Sequence, residues 1–319
     1  MEKGAHALFR APKQAPEIAV PQAVSRNPLP AFSTRSLVSR VNLFVIGVNK
    51  AGTSWLYYLL SQHPDVFMSE VKELYFFGSD REGPASLEAY HEHFPFDQPY
   101  RYFGEATVTY YQDADVADEI RAYNPEARVL AIVRDPIQRL LSQYRFHKQL
   151  GIVGETESLA EALAGRPPGL YRDSHYEQTL PAFTERFGND QFRIVSLEEG
   201  KDAPERLWDD LCSFLDLPPA PFPDGNTTPE NPTGSPAFRQ VYRALVQPIK
   251  THWPGAYQWM LQNPVARQAK LALLRLLGTA EPDALSPEME RHLREEFAPT
   301  YDYLHSLGFD VYDPPPHGG

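Results

Sequence analysis

Lys50, Gly52, Thr53 and Ser54 stand together in the stretch NLFVIGVNKAGTSWLYYLL, residues 42–60. One ammonium group, two hydroxyls and a glycine at the mouth of a helix are the parts of a phosphate cradle. The glycine lets the backbone come close, the first-turn N–H groups point at the ligand, and the helix dipole favours negative charge. Ala51 keeps the turn small. Gly47 and Gly52 have the spacing of the nucleotide-triphosphate loop G-x-x-x-x-G-K-[ST], but there the lysine follows the second glycine. Here Thr53 does, and the lysine lies inside the turn, where it reaches a different atom of the ligand. A second group, Arg134 and Ser142, sits in VLAIVRDPIQRLLSQYRFHK, residues 129–148.

Two strand–helix units must position these groups. The apolar run Leu43 to Val48 reads as a buried strand, and Trp55, Leu56, Leu59 and Leu60 give the following helix one buried face. Val129 to Val133 is a second buried strand. Pro136 suits a first helical turn, and Ile137, Leu140, Leu141 and Tyr144 form an apolar stripe from which Ser142 is excluded. Arg134, at a strand's carboxyl end, stands where open α/β sheets bind ligands.

Together, GVNKAGTSWLYYLLSQHP and VRDPIQRLLSQYRFH resemble the sulfotransferases that use 3′-phosphoadenosine 5′-phosphosulfate (PAPS), most of all the carbohydrate-type branch with the heparan sulfate enzymes and their bacterial relatives. The resemblance spans about residues 42–312. It implies an α/β fold, a P-loop-like parallel sheet flanked by helices in a single domain, 41–314, between tails at 1–40 and 315–319. It implies that Lys50, Ala51, Gly52, Thr53 and Ser54 bind the 5′-phosphosulfate and Arg134 and Ser142 the 3′-phosphate, with PAPS as co-substrate and no metal. A Glu placed like Glu73, before Phe76-Phe77, is the catalytic base in that branch, so Lys50 and Glu73 are the expected catalytic pair. Lys72 and Glu73 read without the resemblance are solvated loop charges. Relatives carry a Glu-Lys-Thr-Pro type sequence where this chain has Glu105-Ala106-Thr107-Val108. The lysine is missing; Lys72 or Lys50 is the candidate substitute, and Glu105, Thr107 and Lys72 are expected near the acceptor. Ser174-His175-Tyr176 resembles the family's Ser-x-Tyr helix start, which makes Tyr176 another acceptor-site candidate. A proline-rich loop over 218–236 is expected to fold over the adenosine, a role the resemblance extends to Ser235, Phe238 and Arg239, the last a candidate for the 3′-phosphate.

Composition narrows the partners. The 319-residue chain is 42% hydrophobic and 12% aromatic, with net charge −12. That balance argues against nucleic acid as a partner and makes a highly sulfated polyanion an awkward acceptor. The expected acceptor is a carbohydrate, lipid-linked or small-molecule hydroxyl or amine. The single cysteine, Cys212, cannot form an intrachain disulfide. No apolar run suffices for a transmembrane segment and no signal peptide is evident; cytoplasm is the expected compartment. Residues 253–277 are locally basic and aromatic-flanked, and the lid expected there (253–280) covers the acceptor cleft or touches a membrane peripherally, unless it simply packs on the domain.

The remaining chain reads as scaffold: a helix and loop over 79–100 with surface histidines at 91 and 93, a strand over 102–111, a short helix from Leu159 to Leu163, a strand from Phe192 to Leu197, and a core helix capped by Asp202 with the stripe Leu207, Trp208, Leu211, Phe214 and Leu215. Two competing readings stay open. A P-loop kinase or NTPase would need Mg²⁺ and a lysine after Gly52. A nucleotide-binding relative that has lost catalysis would fit Ala106 in place of the lysine.

Overall fold

The computed structural model describes residues 40–78, 83–154, 156–165, 167, 169–223 and 285–311, with scattered positions between 241 and 272. Five strands form one sheet: β1 (Leu43–Gly47), β2 (Val66–Met68), β3 (Tyr102–Ala106), β4 (Arg128–Val133) and β5 (Phe192–Ser196). Their order is β2-β3-β1-β4-β5 and every pairing is parallel. All-parallel sheets need cover on both faces, because each strand reaches its neighbour through a crossover.

That cover follows from alternation along the strands. Phe44, Ile46, Val129, Ala131 and Val133 point into one buried cluster, and Leu43, Val45, Leu130, Ile132 and Val195 into the other. The first cluster packs α3 (Asp115–Tyr123), α4 (Pro136–Leu150), α6 (Leu180–Gln191), α9 (Pro287–Glu296) and α10 (Ala298–Ser306). The second packs α1 (Thr53–Ser61) and α8 (Pro204–Phe214), with Trp55, Leu56, Trp208 and Leu211 as its large side chains. The short helices α2 (Leu87–His91), α5 (Leu159–Gly165) and α7 (Leu197–Asp202) fill the connections. Chain order reverses across β1, so its carboxyl end is a topological switch point, the place where such sheets hold ligands. Both expected strand–helix units end there.

Local details depart from the sequence reading. The third strand stops at Ala106, and a 3₁₀ turn, Tyr110–Gln112, follows. Two 3₁₀ turns occupy 172–178, so the helix after Tyr176 begins only at Leu180. Asp202 ends α7 instead of capping α8, whose N-cap is Ala203 with Pro204 in the first turn. A proline there needs no N–H partner and fixes φ for helix entry, so it starts the helix. Arg239, Ser235, Phe238, residues 1–39, the 315–319 tail and nearly all of the 253–280 lid lie outside the described residues.

Candidate active site

The first turn departs from β1 through a register shift between Val45 and Gly47 on the β4 side. Lys50 adopts φ 68 and Gly52 φ 102. A Cβ on Gly52 would lie 2.7 Å from Leu197 Cδ1, so both conformation and space call for glycine. Gly52 is the N-cap of α1, with no side-chain cap and no acidic residue in the first turn. The positive end of the helix dipole is therefore uncompensated at Thr53 and Ser54, as an anion site requires. Thr53 is buried and Ser54 exposed. The Lys50 ammonium rests 3.8 Å from the centre of the Phe146 ring on α4, a cation–π contact that directs the side chain toward that helix. Asn49 Nδ2 donates to Gln143 Oε1 at 3.3 Å, tying the turn to the same helix.

Arg134 follows β4. Its Nη1 donates to the Lys50 carbonyl at a long 3.4 Å, and its Nε is buried without a hydrogen-bond partner. Burial works against its charge, with Glu198 partly offsetting this. A half-buried guanidinium with an unsatisfied donor beside a helix-mouth turn is poised for an anion. Ser142, half-buried, lies two turns along α4 on the side of Phe146 and away from the apolar stripe. Tyr176 is wholly buried and donates its hydroxyl to the Arg134 carbonyl at 2.9 Å. It supports the site through the backbone and does not line it. Burial raises the Tyr176 phenol, so it stays a donor.

Glu73 lies in an irregular segment between β2 and α2. Its Oε2 accepts from the Tyr75 hydroxyl at 2.7 Å, and its Oε1 lies 3.4 Å from Lys72 Nζ. Burial lowers the Lys72 pKa, and Glu73 opposes that shift. A cavity of ≈ 360 Å³ opens beside Glu73, with Val71, Tyr75, Glu92 and His93 among its walls. Glu105 and Thr107 are fully buried beneath this segment. Burial pushes the Glu105 carboxyl up to about 7, against the hydrogen bonds it accepts from Tyr90, Thr107 and Tyr110. His91 is turned inward, with Nε2 2.8 Å from the Tyr123 hydroxyl, whereas His93 reaches the cavity. A groove of ≈ 380 Å³ beside Arg128, Arg193 and Phe214 lies at the amino ends of β4 and β5, the wrong end of the sheet for this chemistry. Among the described residues no His/Cys/Asp/Glu group could hold a metal ion.

Several supporting residues carried no sequence signal of their own. Arg139 is completely buried: Nε donates to Ser174 Oγ at 2.6 Å, and Nη2 to the carbonyls of Gly169 and Leu170 at 3.1 and 2.5 Å. Asp135 caps α4, accepting from the Gln138 N–H at 2.7 Å and from the Tyr301 hydroxyl of α10 at 2.8 Å. Gln143 and His147 make a buried polar pair at 2.7 Å. Only Asp135, before a proline at a helix start, was recognisable as a cap.

The sulfotransferase domain family matches residues 40–225. The chain is 33% identical over 109 residues to the membrane-associated sulfotransferase kil1 of Dictyostelium discoideum, covering 34% of this chain and 23% of that protein. It is 29% identical over 184 residues to heparan sulfate glucosamine 3-O-sulfotransferase 5 of Mus musculus, covering 55% of this chain and 53% of the relative. The chain thus spans about half the length, or less, of these curated relatives. The crystal structure of a sulfotransferase from Alicyclobacillus acidocaldarius superposes with a TM-score of 0.54 at 26% identity, over 69% of this chain and 96% of that one.

Proposed function

Because the chain belongs to the sulfotransferase domain family, we propose that it moves the sulfuryl group of PAPS to an acceptor hydroxyl or amine. The observation that carries this reading is the convergence of Arg134 on the Lys50 carbonyl, which joins two cationic anion-binding units at the switch point of the sheet. The residues fit the co-substrate: an uncapped helix mouth with a lysine for the 5′ end, and a half-buried guanidinium with an unmet Nε donor for the 3′-phosphate.

PAPS supplies a sulfuryl group already activated on a phosphate leaving group. Lys50 and the α1 N-terminus neutralise charge that grows on the departing bridging oxygen, the main electrostatic demand of such a transfer. Arg134 and Ser142 hold the 3′-phosphate. Glu73 accepts the proton of the attacking hydroxyl as the new O–S bond forms and the bridging O–S bond breaks. Lys72, beside Glu73, takes the place of the lysine missing at position 106. We assign the ≈ 360 Å³ cavity beside Glu73 to the acceptor. With Glu73 and Glu92 in its walls it favours a neutral or amine-bearing sugar, lipid-linked or small-molecule acceptor over a sulfated polymer. No helix among the described residues is long and apolar enough to cross a membrane. Cytoplasm remains the proposed compartment, on the strength of the lone buried Cys212. A peripheral membrane contact through 253–277 stays part of the proposal.

Thermal unfolding tests the reading. A ligand that binds only the folded state raises the midpoint. Adenosine 3′,5′-bisphosphate should stabilise the protein, adenosine 5′-phosphate and ATP·Mg²⁺ should not, and Arg134→Ala should abolish the shift. Stabilisation by ATP·Mg²⁺ alone would replace this reading with a kinase or NTPase. Binding of the bisphosphate with no turnover across varied acceptors would indicate an inactive relative.

A further inference from the structure

The segment that carries Glu73, residues 69–78, is neither strand nor helix. The backbone N–H groups of four consecutive residues, Leu74 to Phe77, go instead to two side-chain hydroxyls. Thr107 Oγ1 accepts from Leu74 N at 3.1 Å and Tyr75 N at 3.4 Å; the Tyr110 hydroxyl accepts from Phe76 N at 2.9 Å and Phe77 N at 3.2 Å. A hydroxyl has one proton and two lone pairs, so it serves two amides only if its own proton is directed elsewhere. Both protons go to Glu105. Thr107 donates to Oε2 at 2.9 Å, and Tyr110 lies 3.2 and 3.3 Å from Oε1 and Oε2. The Tyr90 hydroxyl donates to Oε1 at 2.6 Å and relays to no amide in this segment.

We propose that Glu105 is a positioning residue for Glu73: by accepting the protons of Thr107 and Tyr110, its carboxylate turns their lone pairs onto the amides of residues 74–77 and fixes the loop that holds the base. A carboxylate is the acceptor-only group this needs. A glutamine of the same shape would bring two protons of its own into a pocket whose oxygens already face amides. Amides of a buried segment must be paired, and these two hydroxyls pair four in a row. The carboxyl group thus acts on the base through two hydroxyls and four amides without touching a substrate. The inference rests on Glu73 being the base, but the loop's restraint can be tested without that assumption.

The test is residue-resolved amide hydrogen exchange on the full chain, with stabilisation by adenosine 3′,5′-bisphosphate measured in parallel. Glu105→Gln should accelerate exchange at all four amides by about ten-fold or more, with α1 and β4 unchanged. Thr107→Val should open chiefly Leu74 and Tyr75, and Tyr110→Phe chiefly Phe76 and Phe77. Tyr90→Phe, which removes a partner of Glu105 but no relay, should open neither pair. The bisphosphate-induced midpoint shift of Glu105→Gln should match wild type, and turnover of PAPS should show a lowered kcat with KM for PAPS in place. Wild-type exchange at 74–77 in Glu105→Gln would overturn the proposal. So would equal opening in Tyr90→Phe, or loss of the bisphosphate shift in Glu105→Gln, since either marks general loosening of the core. If wild type itself shows no bisphosphate shift, the sulfotransferase reading fails while the exchange results still decide the role of Glu105.

Discussion

Arg139→Met is the substitution for which the structure makes the sharpest demand. The guanidinium is fully buried on α4 and satisfies Ser174 Oγ and the carbonyls of Gly169 and Leu170, while Asp173 Oδ2 lies 3.9 Å from Nη1. Methionine matches the stem but leaves those oxygens without their donor and removes the buried one of the two cations beside the Asp173 carboxylate, the exposed Arg172 remaining at 3.5 Å. Removing one member of such a pair costs about 3–5 kcal/mol. For a domain of this size that is a fall in Tm of about 10 °C, taking roughly 2–4 °C per kcal/mol. The deficit should also depend on pH. Burial already raises the Asp173 pKa, and Arg139 is the largest influence holding it down. Without Arg139 it rises further. A carboxyl whose folded pKa exceeds its unfolded value of about 3.9 loses stability as pH climbs through that interval, because the folded state then retains the extra proton. Differential scanning calorimetry at pH 5 and pH 8 should therefore show a larger gap from wild type at pH 8. Adding Asp173→Asn should recover part of the loss, as coupled neighbours do. A midpoint within about 2 °C of wild type at both pH values would refute the reasoning, since no buried network of this kind is lost so cheaply.

Three further outcomes follow from the site. Glu73→Gln should lower kcat by about 10²–10⁴ in acceptor sulfation with KM for PAPS unchanged, and Lys50→Met by about 10²–10³, both read from steady-state kinetics. Gly52→Ala forces a side chain onto φ 102 against Leu197; it should cost about 1–3 kcal/mol in denaturant unfolding and weaken bisphosphate binding by displacing the mouth of α1. Glu105, held up at about 7 against 4.5, makes the folded state bind the extra proton between those values, so its contribution to stability declines as pH rises from about 4.5 to about 7. Urea titrations of Glu105→Gln should lack that decline.

The two ligand-binding units were legible because each repeats one strong pattern, a short apolar run that breaks into a helix with a one-sided stripe. β1 with α1 and β4 with α4 follow it closely. The polar support was not legible. Ile137, Leu140, Leu141 and Tyr144 mark one face of α4, but the opposite face is buried too, and Arg139, Gln143 and His147 occupy it. Periodicity detects an apolar face against water; it cannot detect a polar face that is itself buried, as Arg139 is against 169–174 and Gln143 against Asn49 and His147. Glu105 and Thr107 read as the polar exit of a strand near the acceptor, because the amides that Thr107 accepts, Leu74 and Tyr75, are about thirty positions away in sequence and Glu105 meets that segment only through Thr107 and Tyr110. The helix α7 occupies 197–202, where the strand was expected to end and Asp202 to cap the next helix; Asp202 is a good cap residue in the wrong place, and Pro204 starts α8.

One device recurs beneath the charged groups. Tyr176 donates to the Arg134 carbonyl, Tyr301 to the Asp135 cap, and Tyr110 to Glu105 while it receives two amides of the Glu73 loop. Each is a rigid ring packed in the core with only its hydroxyl committed to the site, so little rotamer freedom remains to blur the geometry. Burial raises all three phenols far above neutrality. They stay donors throughout the physiological range, and the frame that sets Arg134 and the α4 N-terminus does not titrate there. The Glu73 loop differs, because its hydroxyls lean on Glu105, whose carboxyl group is held near 7. Any pH dependence of the chemistry near neutrality should therefore arise on the acceptor side of the site, at Glu105, and leave the binding of adenosine 3′,5′-bisphosphate nearly flat. Isothermal titration of that ligand from pH 6 to pH 8 checks this directly. A steep change in affinity beyond the ligand's own phosphate ionisation would place a titrating group beside Arg134 and break the division between a fixed nucleotide half and an adjustable acceptor half.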